Sequence, residues 1–215
     1  MRRLLVSSFA IALTLSTASL AQSPAFGVRG GLNAATYGGR RVVDSDYRLG
    51  FTVGGYAAFP ITSTLAIQPE ISFSQRGARR AAYDYSDMPA DGDAPPMGAY
   101  LSAKTTLDYL EIPLLLKLGP SLAGGAIRPI FFVGPTVEFL LHASEVYDTD
   151  FREHMTSADA GFIVGGGTEF GRLSLDARYT LGLAPIDKKY NATFGTVAGG
   201  IKNRAFTVAA GVRLF

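Results

Sequence analysis

The residues with chemistry to offer fall into two groups. The first is a set of charges inserted into apolar stretches: seven basic (Arg29, Arg48, Arg76, Lys117, Arg128, Arg178, Arg213) and seven acidic (Glu70, Asp108, Glu111, Glu138, Asp159, Glu169, Asp176). Equal numbers of opposite charges among apolar neighbours suit mutual pairing away from water, where an unpaired charge is costly. The second group is His142 and His154 with Ser144, Asp148, Asp150 and Glu153. A protease, lipase or acyltransferase needs a nucleophile or activated water, a base and an orienting group in fixed geometry. Here both histidines share one highly charged segment, and neither a serine elbow nor a partner on a second strand accompanies them. The expectation is a protein without catalytic activity. Two histidines twelve residues apart have no ligand spacing for a metal. Asp91-Gly-Asp93 lacks the other oxygen ligands of a calcium loop and reads as a turn. Gly165-Gly166-Gly167 is followed by no helix, so it reads as close backbone packing rather than a phosphate loop. No cofactor is expected.

The elements that must position these charges are strands. In the segment 105–141, Leu110, Ile112, Leu114, Leu116 and Leu118 occupy one parity while Asp108, Glu111 and Lys117 interrupt the run. After a Gly/Pro/Ser turn, Ile127, Phe131, Val133, Val137 and Phe139 alternate with Arg128, Gly134, Thr136 and Glu138. An apolar period of two is strand chemistry. The same pattern recurs along the chain, giving eight expected strands: from Phe26, from Arg48, over 65–76, over 105–118, over 127–141, over 159–170, over 173–183 and over 204–215. Long polar connections are expected at 37–46, 77–104, 142–157 and 184–203, and short ones at 60–64, 119–125 and Gly171-Arg172. The regular alternation of long and short connections is that of an even-stranded up-and-down barrel with two unlike ends.

Composition narrows the class. Of 215 residues, 47% are hydrophobic, 25 are glycine and none is tryptophan or cysteine, which favours a β-rich chain and removes disulfides or a cysteine-linked lipid anchor. The net charge is +2 with scattered basic residues, so nucleic acid is not an expected partner. Met1-Arg2-Arg3 followed by an apolar core and Ser19-Leu20-Ala21 has the plan of an export signal, expected to be cleaved near Ala21, with 22–215 as the mature domain. The alternative is an uncleaved anchor, but the core is short and interrupted by Ser and Thr.

Alternation alone does not say which face meets solvent. An inward Leu/Phe/Val face would make a soluble periplasmic barrel that binds an apolar ligand. The polar face, however, mixes glycines and small hydroxyls with balanced large charges, and only Lys117 among its cations is lysine. A solvated face is usually lysine-rich, whereas a crowded lumen suits paired arginines and carboxylates. The expectation is an eight-stranded antiparallel transmembrane β-barrel with its apolar face in lipid. Its lumen would hold a structural charge network of Arg29, Glu70, Glu111, Lys117, Arg128, Glu138, Glu169, Asp176 and Arg178, since eight strands enclose little more than side chains. The alternative makes some of these line a narrow solute path.

Several segments together resemble the PorT-like outer-membrane β-barrel family, a Bacteroidetes-type eight-stranded barrel. They are 26–33 (FGVRGGLN), 67–77 (IQPEISFSQRG), 107–117 (LDYLEIPLLLK), Gly134-Pro135, 175–183 (LDARYTLGL) and 203–206 (NRAF). The resemblance implies outer-membrane location and, for most members, no known activity. From the barrel reading itself the expected role is structural or interactive, and the expected partners are outer-membrane lipid, the barrel-insertion machinery during biogenesis, and an extracellular or periplasmic protein met through the outer loops, chiefly 77–104 and 142–157. Phe215 fits a terminal aromatic insertion signal but lies on the inward phase, so a bulge or a rim position is expected there. Pro69, Pro113, Pro129 and Pro135 cannot donate to a ladder, and bulges are expected at each.

Overall fold

The computed structural model describes residues 23–39, 42–83, 100–102, 104–119, 127–145, 156–186, 190–192, 195–197 and 200–215. The expected signal segment, 1–21, lies outside them. The strands are β1 (Ala25–Gly39), β2 (Val42–Pro60), β3 (Leu65–Arg76), β4 (Ala78–Tyr83), β5 (Tyr100–Ser102), β6 (Thr105–Leu118), β7 (Ile127–Glu145), β8 (Ala158–Phe170), β9 (Leu173–Gly182), β10 (Tyr190–Ala192), β11 (Gly195–Val197) and β12 (Ile201–Arg213), and no helix occurs among the described residues.

Eight of these strands close into a barrel. Every neighbour pair is antiparallel, in the order β1, β2, β3, β6, β7, β8, β9, β12, and β12 returns to β1 through Val28↔Val212 and Asn33↔Thr207. Closure leaves no unpaired edge, which is the condition for a sheet to cross a bilayer. The alternation has the sign expected from the glycine-rich, charged parity. In β6, Thr105, Leu107, Tyr109, Glu111, Pro113, Leu115 and Lys117 are buried while Ile112, Leu114, Leu116 and Leu118 are exposed. Leu32, Phe51, Ile71, Phe131, Val164, Leu175 and Val208, from seven different strands, are likewise exposed. In water such a continuous apolar belt would far exceed the few hundred Å² that soluble monomers show, so its partner is lipid.

The strands run further than alternation predicts. The expected loop 37–46 is mostly strand, because Thr36 to Gly39 gain ladder partners from β12 and the Thr36 hydroxyl donates to Ser45 O at 3.1 Å. Likewise β4 and β5 carve strand out of the expected loop 77–104. Gly77, at φ +128°, makes the kink between β3 and β4, where a Cβ would stand 2.1 Å from Thr105 O. At the other expected loops, β7 continues through His142 to Glu145, and β12 starts at Ile201. The short turns hold as expected at 61–64 and at Gly171, φ +62°, while 120–126 lie outside the described residues.

The bulges expected at prolines are absent. The pairing lapses where Ala57 faces Pro69, where Glu70 faces Pro113 and where Leu114 faces Pro135, then resumes in the same register, and Pro129↔Thr168 stays in an unbroken ladder. Each antiparallel residue offers its N–H to one side only, so a proline costs one ladder bond without inserting a residue. The β6–β7 irregularity falls instead between Asp108 and Tyr109, where no proline stands. Phe215 takes the rim position. It is 82% exposed, and its backbone carbonyl accepts from Phe26 N at 3.2 Å.

Candidate functional site

The inward parity brings one continuous polar network together from six strands. Near its centre, Glu70 on β3 accepts from Arg178 Nη1 on β9 at 2.8 Å, from Arg29 Nη1 on β1 at 3.4 Å and from Gln68 Nε2 at 2.7 Å. Asp176 closes the ring, accepting from Arg29 Nη2 at 2.9 Å and from Arg178 Nε at 3.1 Å. All four charged groups are almost wholly shielded from solvent. Gln68 passes the network on by accepting from Lys117 Nζ at 3.2 Å; Lys117 also pairs with Glu169, which accepts from Arg128 Nε at 3.0 Å. Arg178 further lies 4.7 Å above the Phe132 ring, a cation–π contact inside the lumen. Gly165 makes room for that ring, since a Cβ there would stand 2.4 Å from it.

A second charged layer lies towards the long connections. Glu111, Glu138 and Asp159 are cross-strand neighbours on β6, β7 and β8, and Arg76 bridges the first two, with its Nη1 2.8 Å from Glu138 Oε2. Glu138 is 0% exposed. The Tyr109 ring stands 5.8 Å from the Arg76 guanidinium, and its hydroxyl accepts from Asn203 Nδ2 at 2.9 Å. A smaller chain links Thr207 Oγ1 to Asn33 Oδ1 at 2.7 Å and Asn33 Nδ2 to Ser74 Oγ at 2.9 Å.

The nine residues expected in the lumen network therefore divide into two groups. Arg29, Glu70, Lys117, Arg128, Glu169, Asp176 and Arg178 form the first network, and Glu111 and Glu138 belong to the Arg76 layer. Asp108 corrects the face reading. It shares the parity of Leu110 and Ile112, outside the barrel, where it accepts from Gln75 Nε2 at 3.1 Å and faces His142 across the ladder. Its even number could not place it with Glu111. Arg213 is at the mouth rather than inside, its Nη2 donating to Gly171 O at 3.1 Å. Arg48 is buried near the outer end, donating to Arg76 O at 2.8 Å and to Gln75 Oε1 at 3.2 Å. Of the second chemical group, His142 and Ser144 are on exposed positions of β7, and His154, Asp148, Asp150 and Glu153 lie outside the described residues, as does Asp91-Gly-Asp93.

Reading the charges alone misses the apolar part of the lumen. Leu115, Ile130, Phe132 and Ile163 form one buried cluster inside the barrel. Tyr37, Ala78, Leu107, Tyr109, Leu140, Ala143 and Ile186 form another that caps the outer end. Leu107, Tyr109 and Leu115 share the parity of Glu111 and Lys117, and Ile130 and Phe132 that of Arg128 and Glu138, so the signal was present in the numbering. Between the first cluster and the Arg29–Glu70 ring lies a cavity of about 10 Å³, lined partly by Ile130, Phe132, Asp176 and Arg178, which is room for about one water.

The chain matches the family model described as outer membrane protein beta-barrel domain over residues 20–188. Among solved structures it is similar to the outer membrane protein OprG from Pseudomonas aeruginosa, at 9% identity, covering 89% of this chain and 96% of that one, TM-score 0.48. It is similar to Neisserial surface protein A at 11% identity, covering 90% and 100%, TM-score 0.45. The outer membrane enzyme PagL is similar at 13% identity, covering 89% and 100%, TM-score 0.40. No curated protein matches the sequence.

Proposed function

Because the chain belongs to the family of outer membrane protein β-barrel domains, we propose that it is a non-catalytic barrel with a closed lumen, acting through the connections at its outer end. The observation that carries this reading is the filling of the lumen. Two apolar clusters and two charged layers occupy it, and the charged groups of those layers, Asp159 apart, are engaged with one another rather than lining an open path. An open ion path would instead need polar groups facing continuous water. What is left for recognition is the outer end, where the sequence between β4 and β5 (84–99) and the sequence that follows β7 (146–155) are each ten or more residues long. The partner we propose there is a protein. During biogenesis the chain would pass through the export system, losing 1–21, and be read by the barrel-insertion machinery through its C-terminal segment. The PorT-like segments are the finer family reading within this proposal, and they carry no activity with them. The soluble ligand-binding alternative required the Leu/Phe/Val face to point inward, and that face points outward.

The test is electrical. Purified barrel reconstituted in a planar bilayer should give no steady conductance at neutral pH. A steady single-channel current from heat-shiftable, folded protein would replace this reading with the narrow-pore one.

A further inference from the structure

At the end of the barrel carrying the short turns, the lumen opens into a cavity of about 50 Å³. That is room for several waters, and so for a group of a few heavy atoms. Lys117, Arg128, Arg172 and Arg213 line it, opposed by the single carboxylate of Glu169, so the lining carries a formal surplus of three positive charges. Glu169 is already committed: it pairs with Lys117 and accepts from Arg128 Nε at 3.0 Å, with Arg128 Nη2 at 2.7 Å. Among the described residues, no ion pair engages Arg172 or Arg213. Arg213 is held in place by donating through Nη2 to Gly171 O at 3.1 Å, and its backbone N–H donates to Arg172 O at 2.8 Å, so the backbones of the two arginines stand side by side at the turn. The hydroxyls of Tyr56 and Ser174 also border the cavity and add neutral donors.

We propose that this mouth is a binding site for a phosphate or like oxyanion group, with Arg172 and Arg213 as its principal ligands and Lys117 and Arg128 supplying further positive potential from below. Planar guanidinium groups with unspent N–H donors match the oxygens of such an anion two at a time. The floor is closed by the buried charge network, so the anion binds at the mouth without entering the lumen. Outer-membrane barrels keep their short turns on the periplasmic side. The anion therefore comes either from solution in the periplasm or from the phosphate of a phospholipid in the inner leaflet of that membrane.

The test uses the folded barrel in an uncharged maltoside micelle, with inorganic phosphate as the first probe and dihexanoyl phosphatidic acid as the second, binding being followed by calorimetry. Saturable binding of inorganic phosphate that weakens at least about tenfold in R172Q/R213Q, and is unchanged in R79Q at the opposite end, supports the site and assigns it to a soluble anion. Binding of the phosphatidic acid alone, with the same loss in R172Q/R213Q, supports the site and assigns it to lipid. Absence of saturable binding by both probes overturns the proposal, as does binding that R172Q/R213Q leaves unchanged. Should the double variant fail to show the heat-dependent gel shift of a folded barrel, the arginine side-chain NMR signals of the wild-type protein decide. Displacement of Arg172 and Arg213 by either probe supports the site, and their indifference overturns it.

Discussion

Glu70 is the side chain on which the lumen network turns, because it accepts from two arginines and a glutamine that come from three strands. Replacing it by leucine leaves Arg29 and Arg178 sharing only Asp176, with an uncompensated positive charge almost fully shielded from water. Removing one partner of such a buried pair costs about 3–5 kcal/mol. Glu70→Leu is therefore expected to lower the unfolding free energy by that amount, read from urea denaturation in lipid vesicles with tyrosine fluorescence as the probe. Adding Arg178→Leu should restore part of the loss, since it removes the stranded charge, and a strictly additive double variant would refute the coupling. Arg128 gives the contrast. Its side chain is 40% exposed at the mouth, where ion pairs are screened, so Arg128→Gln should cost no more than about 1 kcal/mol.

Within the strands, the period-two pattern is legible wherever lipid and lumen impose opposite chemistry on alternate residues, as in β3, β6 and β9. It fails where that contrast stops. Beyond the apolar belt, β1, β2 and β7 continue as strands whose exposed residues include Asp46, His142 and Ser144, and alternation has nothing to report there. The continuation is set by pairing that sequence does not display, such as Thr36–Gly39 with β12 and Val42–Tyr47 with β4. The nine charges expected in the lumen were readable as one set, because parity places them all on the inward face, but their division into the seven-member network and the Arg76 layer depends on how strands are staggered. Asp108 shows the cost of reading charge before parity. At the junction of β3 and β4 the backbone argument is sharper: Gly77 has φ +128°, and a Cβ there would stand 2.1 Å from Thr105 O on the neighbouring chain segment. Gly77→Ala is expected to destabilise the barrel by about 1–3 kcal/mol and to do so without changing its assembly into membranes. Urea midpoints with an unchanged heat-dependent gel shift would show this, and an unaltered midpoint would mean that the kink carries no strain.

At the scale of the whole molecule the question is which layer keeps the barrel shut. If salt bridges were the seal, trimming them would open a path; if the apolar clusters are, trimming charges alone would not. The clusters lie in series with the network: Leu115, Ile130, Phe132 and Ile163 adjoin it, and the Tyr37–Ile186 group caps the far end. A constriction lined by apolar side chains excludes water, and ions cross only where water is continuous. The Arg29→Ala/Arg178→Ala variant removes two large side chains from the charged ring yet leaves both apolar layers in place. Its conductance in a planar bilayer should therefore stay at baseline, even though its stability falls. Further replacement of Phe132 and Tyr109 by alanine thins each apolar layer in turn and should yield detectable current only when both are cut. Current from the arginine double variant alone would assign the seal to the ion pairs. In that event the two apolar clusters would be packing material rather than gates, and the lumen would be one ion-pair rearrangement away from a pore.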